Sequence, residues 1–224
     1  MFRRHELIWL SAHGWQRLLA DAPEDRRPRL ETWRAAGWPA VVRRTDQGLR
    51  GAQLCIGLPF PPDPLTGSKL RFALCVERPE VMHSAPPPDI SSVIAAAPPA
   101  WRAPLQALQR DGQAMDLRIY GSLAWQALTG QTYVHDASDI DILLALRTRC
   151  QLQPALDLLQ RHSQDLPLDG ELVLPSGAAV AWKEWRNARS AAAGTRVLVK
   201  ELSGVRLADA DALLDQSFDV SCTP

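Results

Sequence analysis

The sequence predicts an α+β protein of two domains, and three observations carry that expectation. The first part of the chain holds short apolar strands and two short helices, enough for a small α+β domain of its own. Residues 84–100, SAPPPDISSVIAAAPPA, shift to Ala, Pro and Ser, and clustered prolines stiffen a chain and prevent regular ladders. Beyond them the order is helix, strand, Gly-Ser turn, helix, loop, strand, helix, hairpin, strand and helix, which suggests a mixed sheet with helices on one face. The expected division is therefore an N-terminal recognition domain at 1–83, a linker at 84–100 and a catalytic domain at 101–224.

In chain order, Leu7-Ile8-Trp9-Leu10 reads as a short buried strand and residues 14–19 as a helix that ends in the charged segment 21–29. Residues 30–36 form a second helix closed by Gly37, and 39–44 a strand with a basic tip, Arg43-Arg44. Residues 54–59 and 70–76 make two more strands, separated by turn chemistry at 61–69. Trp9, Trp15, Trp33 and Trp38 are expected in the core of this unit. After the linker, Trp101, Leu105 and Leu108 have helical spacing, with Pro104 placed in the first turn, where proline is tolerated. Residues 117–120 are the next strand, 123–128 a helix and 139–144 a second strand. Leu152, Leu156 and Leu159 mark an amphipathic helix, 169–174 and 178–182 flank a Pro-Ser-Gly turn as a hairpin, 195–200 is a last strand and 208–214 a last helix.

Composition narrows the function. The 224 residues include 25 basic and 25 acidic side chains, so no global field attracts nucleic acid, whose non-specific binders carry a basic excess. Cys55, Cys75, Cys150 and Cys222 are scattered, without paired spacing among themselves or with histidines, and are expected as buried free thiols instead of a zinc or disulfide framework. The start Met1-Phe2-Arg3-Arg4-His5-Glu6 carries an acid before only a short apolar run, so neither a signal peptide nor a membrane span is expected, and the protein is expected in the cytoplasm.

The chemistry is concentrated between Tyr120 and Leu144. Asp139 and Asp141 flank Ile140 at a strand start, so they point the same way, roughly 6–7 Å apart along the chain. Adjacent carboxylates repel unless a cation or shared proton lies between them, and hard divalent cations favour such oxygen donors together with phosphate. Upstream, Gly121-Ser122 precedes a helix, which presents backbone N–H groups and a hydroxyl where phosphate binds readily. Each half alone has an ordinary reading, Ser122 as an N-cap and the acids as a solvated strand start. In strand, turn, helix, loop, strand order they point together to a metal-dependent phosphoryl site.

These residues resemble the signature of the DNA-polymerase-beta-like nucleotidyltransferase superfamily. Within it, the strings YGSLAWQALTGQTYVHDASDIDILL, DGELVLPSGAAVAWKEW and RRHELIWL are similar to the malonate decarboxylase holo-acyl-carrier-protein synthases, which are phosphoribosyl-dephospho-CoA transferases. The resemblance implies a nucleotidyltransferase-like catalytic domain and a triphosphoribosyl-dephospho-CoA donor. It also implies an acceptor serine on the acyl-carrier subunit of malonate decarboxylase, released pyrophosphate and two Mg²⁺ ions, with no organic cofactor of the enzyme's own. Asp139 and Asp141 would hold the metals, while Gly121 and Ser122 would hold the triphosphate.

The superfamily pattern adds a third carboxylate from a neighbouring strand. Asp169 and Glu171, two apart and so on one face, are both candidates. Glu171 is the choice because it lies within the strand, and Glu184 is a weaker candidate. Among Lys183, Arg186, Arg189 and Lys200, Lys200 at the end of an apolar strand is the best placed to bind substrate phosphate. Arg3, Arg4, Arg43, Arg44, Lys69 and Arg71 leave open a basic rim on the first domain. The competing expectations are a nucleotidyltransferase that uses a nucleoside triphosphate on a small molecule or RNA end, and a catalytically inactive binding module.

Overall fold

The computed structural model describes residues 2–46, 53–190 and 194–218. The chain divides into two compact units, Met1–Pro87 and Pro88–Pro224.

The first unit contains β1 (Leu7–Leu10), α1 (Ala12–Asp21), α2 (Arg27–Ala35), β2 (Ala40–Val42), β3 (Gln53–Pro59), β4 (Arg71–Glu77) and β5 (Val81–Ala85). Its strands form one antiparallel sheet in the order β4-β3-β2-β1-β5. Ser11 caps α1 by accepting the Gly14 N–H at 3.2 Å, and Pro28 occupies the first turn of α2, where its missing N–H costs nothing. Trp15 and Trp33 are core residues as expected. Trp9 and Trp38 are only half-buried: Trp9 lies against the His83 ring and donates its indole N–H to the Gly37 carbonyl, and Trp38 packs edge-on against Trp33. An indole with a satisfied N–H can sit at a domain's rim.

The stretch 84–100 is not an irregular linker. It begins with the end of β5, which pairs with β1, and continues through α3 (Ile90–Val93) and a 3₁₀ turn into α4 (Pro99–Asp111). The prolines fall where they do no harm: Pro86 to Pro88 between elements, Pro98 as the N-cap of α4 and Pro99 at its first position. Because α4 starts two residues earlier than predicted, Pro104 lies inside the helix.

The second unit continues with β6 (Asp116–Tyr120), α5 (Gly121–Thr129), β7 (Ile140–Ala145), α6 (Leu152–His162), β8 (Leu168–Val173), β9 (Ala179–Ala181), α7 (Trp182–Ser190), β10 (Arg196–Lys200), β11 (Val205–Asp209) and α8 (Ala210–Ser217). The sheet order is β11-β10-β9-β8-β7-β6, with β7 and β8 parallel and the other neighbours antiparallel. A parallel pair needs a crossover, and α6 supplies it. One sheet face, with Ile119, Ile142, Leu144, Leu172, Val180 and Val197, joins a core with Leu105, Leu108, Leu123, Leu156, Trp185 and Leu213 from the helices. The fold is thus α+β, with a mixed sheet covered by helices on one face.

Two elements after α4 escape the sequence pattern. α7 begins where the hairpin strand was expected to end, because Trp182 and Trp185, three apart, are both buried on one helical face. β11 is an edge strand whose apolar residues, Val205 and Leu207, are exposed, so it shows no periodic burial. Of the cysteines, Cys55 is a buried free thiol and Cys75 a half-buried one, whereas Cys150 is exposed and disulfide-bonded; Cys222 lies outside the described residues.

Candidate active site

Strand register builds the site. β6 sets Tyr120 opposite Asp141, and β8 sets Asp169 opposite Asp141 on the other side. Side chains alternate along a strand, so these three form one row on the face opposite the helix-packed core. Asp139 precedes β7 and is exposed. Carboxylate oxygens of Asp139, Asp141 and Asp169 lie within 4.8 Å of one another, a group that could hold a metal ion. Two unit charges at that separation repel by about 1–3 kcal/mol between bulk-water and surface dielectric values, so a divalent cation is a natural occupant.

The loop before Asp139 is pinned. Gln126 of α5 accepts the Tyr133 and Val134 N–H groups at 3.0 Å each and donates to the Ala96 carbonyl at 2.7 Å. Ser138 is buried and accepts the His135 N–H at 3.0 Å, and the Ile140 N–H reaches the Pro167 carbonyl at 2.9 Å, which fixes the start of β7 against β8. Burial pushes the Tyr133 phenol up to about 12, so it stays neutral beside the loop.

Gly121 is required by geometry twice over. Its φ is +68°, and a Cβ there would lie 1.8 Å from Asp141 Oδ2, so the first residue of α5 must be bare for the carboxylate to approach the helix N-terminus. Ser122 is not the N-cap. That position is Tyr120, whose side chain makes no capping bond, and Gly121 and Ser122 are the first two residues of the helix. Gly170, between Asp169 and Glu171, is the second required glycine: its φ is +132° and a Cβ would meet the Ile142 carbonyl oxygen at 2.0 Å, so β8 runs against β7 without an intervening side chain.

The geometry favours Asp169 over Glu171 as the third acid. Glu171 is paired in register with Leu143, one row farther from the acids, is 3% exposed and accepts a hydrogen bond from Lys200 Nζ at 2.8 Å. It belongs to no potential metal cluster among the described residues. Lys200, expected at the donor's phosphates, pairs with Glu171 at that next row. The cation beside the acid row is Lys183, in the first turn of α7, 3.4 Å from Asp169 Oδ1. Sequence reasoning placed Lys183 near the metal-bearing strands but could not see that α7 turns it back onto Asp169. Glu184, the weaker candidate, faces away and accepts the Leu198 N–H at 2.7 Å. Arg186 donates to Gln160, and Arg189 lies 3.9 Å from Asp211.

In the first unit, Arg43 makes a two-pronged ion pair with Asp46 and donates to the Ile56 carbonyl, so it is held in place and is not a loose rim cation. Sequence analysis did not anticipate Glu80, which is buried and accepts from Arg17 Nε and Nη2 at 2.7 and 2.6 Å and from the Glu77 N–H at 2.7 Å. The Arg17 guanidinium holds its carboxyl below the usual carboxylate range. Among the described residues, no helix is long and apolar enough to cross a membrane.

Comparison with known proteins gives the family. Residues 89–211 match the family model described as the phosphoribosyl-dephospho-CoA transferase MdcG C-terminal domain, and residues 3–87 the MdcG N-terminal domain. A phosphoribosyl-dephospho-CoA transferase of Xanthomonas campestris pv. campestris (strain 8004) is 40% identical over 220 residues, which cover 96% of this chain and 98% of that protein. Its counterpart in Bradyrhizobium diazoefficiens is 36% identical over 92% of this chain and 89% of its own length, and that in Pseudomonas fluorescens is 31% identical over 91% and 90%. No solved structure matches the chain. Two domain matches in tandem, and relatives similar from end to end, show that the chain belongs to the phosphoribosyl-dephospho-CoA transferase family.

Proposed function

We propose that the chain transfers a phosphoribosyl-dephospho-CoA group from its triphosphate precursor to a serine of the acyl-carrier subunit of malonate decarboxylase, in the cytoplasm, with release of pyrophosphate. The names of the relatives support the transferred group. The observation that carries the chemistry is the convergence of Asp139, Asp141 and Asp169 within 4.8 Å, with Asp141 against Gly121 at the start of α5.

In this reading the serine oxygen bonds to the phosphorus next to the ribose, the bond from that phosphorus to its bridging oxygen breaks, and the outer two phosphates leave as pyrophosphate. The hydroxyl proton is lost as the new phosphodiester forms. The three carboxylates are hard oxygen donors of the kind Mg²⁺ prefers, so they fit the metal. When bound there, Mg²⁺ offsets the charge of the triphosphate and of the leaving pyrophosphate. Gly121 and Ser122 present the first N–H groups of α5 toward the phosphates, where the positive end of the helix dipole favours them. Lys183, half-exposed beside Asp169, balances the acid row and supplies a cation within reach of a phosphate. Glu171 and Lys200 hold each other at the next rows of the same face, and their role is to keep β8, β9 and β10 in register.

The test is to incubate the chain with Mg²⁺, the apo carrier subunit and either triphosphoribosyl-dephospho-CoA or ATP, and to weigh the carrier. A mass gain equal to the phosphoribosyl-dephospho-CoA group, lost in Asp141→Asn, is the expected result. Adenylylation from ATP with no gain from the dephospho-CoA donor would replace this reading by a nucleoside-triphosphate-dependent nucleotidyltransferase, and no gain from either donor by a binding module.

A further inference from the structure

A second cluster of potential ligands lies in the first unit. β3 and β4 pair with Leu54 opposite Val76, Ile56 opposite Leu74 and Leu58 opposite Phe72, and Leu54, Ile56, Leu58, Phe72 and Val76 are all buried. Cys55 and Cys75 face each other across the same ladder, and strand alternation puts them on the other face, in line with the Gln53–Glu77 and Gly57–Ala73 pairs. The two thiols thus lie directly opposite one another on the face away from those five side chains, Cys55 buried and Cys75 half-buried. Their sulfurs are 4.0 Å apart. The chain leaving β2 passes over them: the Asp46 N–H donates to Cys55 Sγ at 3.3 Å, and an Asp46 carboxylate oxygen and both sulfurs lie within 4.8 Å of one another.

We propose that Cys55, Cys75 and Asp46 form a binding site for a thiophilic divalent cation of the Zn²⁺ class. In tetrahedral coordination with metal–sulfur bonds of about 2.3 Å, two thiolate ligands stand roughly 3.8 Å apart, so the sulfurs are already near their ligand spacing. A disulfide would require them to close to about 2.05 Å. Two thiolates and one carboxylate around a divalent cation leave one net negative charge, and the Arg43 guanidinium, paired with both Asp46 oxygens at 2.6 and 2.5 Å, supplies the balancing positive charge. Arg43 in turn is oriented by the Ile56 carbonyl at 3.1 Å, the outer-sphere arrangement that fixes a ligating carboxylate. Three protein ligands leave the fourth position to water. Metal uptake exchanges two thiol protons for the cation and ties the segment after β2 to the β3–β4 hairpin.

The test uses the full chain, stripped with a chelator, kept reduced by a phosphine and titrated with Co²⁺. The expected result is one thiolate-to-cobalt charge-transfer band per chain with intense tetrahedral visible bands, bleached by Zn²⁺. The bands should persist in a Cys150→Ser, Cys222→Ser chain and in Asp141→Asn. They should disappear in Cys55→Ser or Cys75→Ser, and Asp46→Asn should weaken cobalt binding about tenfold. Should the serine variants fail to fold, alkylation of the wild-type chain decides: Zn²⁺ should protect the Cys55 and Cys75 peptides and leave the Cys150 peptide reactive. Absence of the charge-transfer band in the reduced wild type, its survival without either cysteine, or equal alkylation of all thiols with and without Zn²⁺ would overturn the proposal.

Discussion

Replacing Gly121 by alanine separates the position of one carboxylate from the stability of the fold. The added Cβ would lie 1.8 Å from Asp141 Oδ2 and 2.7 Å from its Cγ, so the carboxylate must retreat by about 1.5 Å to reach ordinary contact near 3.4 Å. The backbone at φ +68° adds a left-handed penalty of about 1–2 kcal/mol for a residue with a Cβ. In a chain of this size that penalty alone lowers Tm by roughly 2–8 °C. A displacement of about 1 Å at a reacting centre costs on the order of 100-fold in rate. Gly130 is the internal control: its φ is +70°, yet nothing lies within 4 Å of its built Cβ, so Gly130→Ala carries the same backbone cost without the clash. The expected result is a Tm loss in both variants by calorimetry, at least as large in Gly121→Ala, with carrier loading by mass spectrometry falling about 100-fold in Gly121→Ala and less than threefold in Gly130→Ala. Equal activities would refute the placement of Asp141 against the start of α5 as the feature on which transfer depends.

Three further outcomes are expected. Asp139→Asn, Asp141→Asn and Asp169→Asn should each reduce transfer by about 100-fold or more at saturating Mg²⁺ with Tm unchanged or slightly raised, since each relieves repulsion in the metal-free cluster; full turnover by any of them would remove that residue from the site. Glu171→Gln should keep transfer within about tenfold while destabilising the chain by about 1–2 kcal/mol in urea titrations, because it takes the charged partner from Lys200 at a nearly buried position; a larger activity loss than in Asp169→Asn would restore Glu171 as the third ligand. Glu80→Gln should lower stability most at neutral pH: the carboxyl is held below its ordinary 4.5 by Arg17, so the contribution is complete above about pH 5 and fades as pH falls through the lowered value, and a stability gap to wild type that grows on acidification would contradict the sign.

How much of this was legible in the sequence varied with the kind of interaction that decides each feature. Short-range signals read correctly: the two-residue alternation and apolar runs of β1, β3, β4, β7 and β8, the three- and four-residue spacing of α6, and the Pro-Ser-Gly turn between β8 and β9 are local properties of a few side chains. Elements carried by partners elsewhere in the chain did not. β5 holds because β1 offers it a ladder, β11 because β10 does, and neither shows a buried stripe of its own. The half-buried Trp9 and Trp38 show the same limit, since composition alone cannot say which indole reaches the rim.

By itself the sequence carried the family: a Gly-Ser turn before a helix and two acids flanking one apolar residue at a strand start lie in a chain whose relatives match it from end to end. The tertiary structure separated the two candidates for a third acid. Asp169 and Glu171 are equivalent on paper, two apart and on one face. They differ because the parallel pairing of β7 and β8, spanned by α6 and locked by the Ile140 to Pro167 hydrogen bond and the bare Gly170, puts Asp169 level with Asp141 and moves Glu171 one row away to Lys200. Register between strands twenty-eight positions apart, Asp141 against Asp169, is a property of the folded sheet and is written in no local pattern.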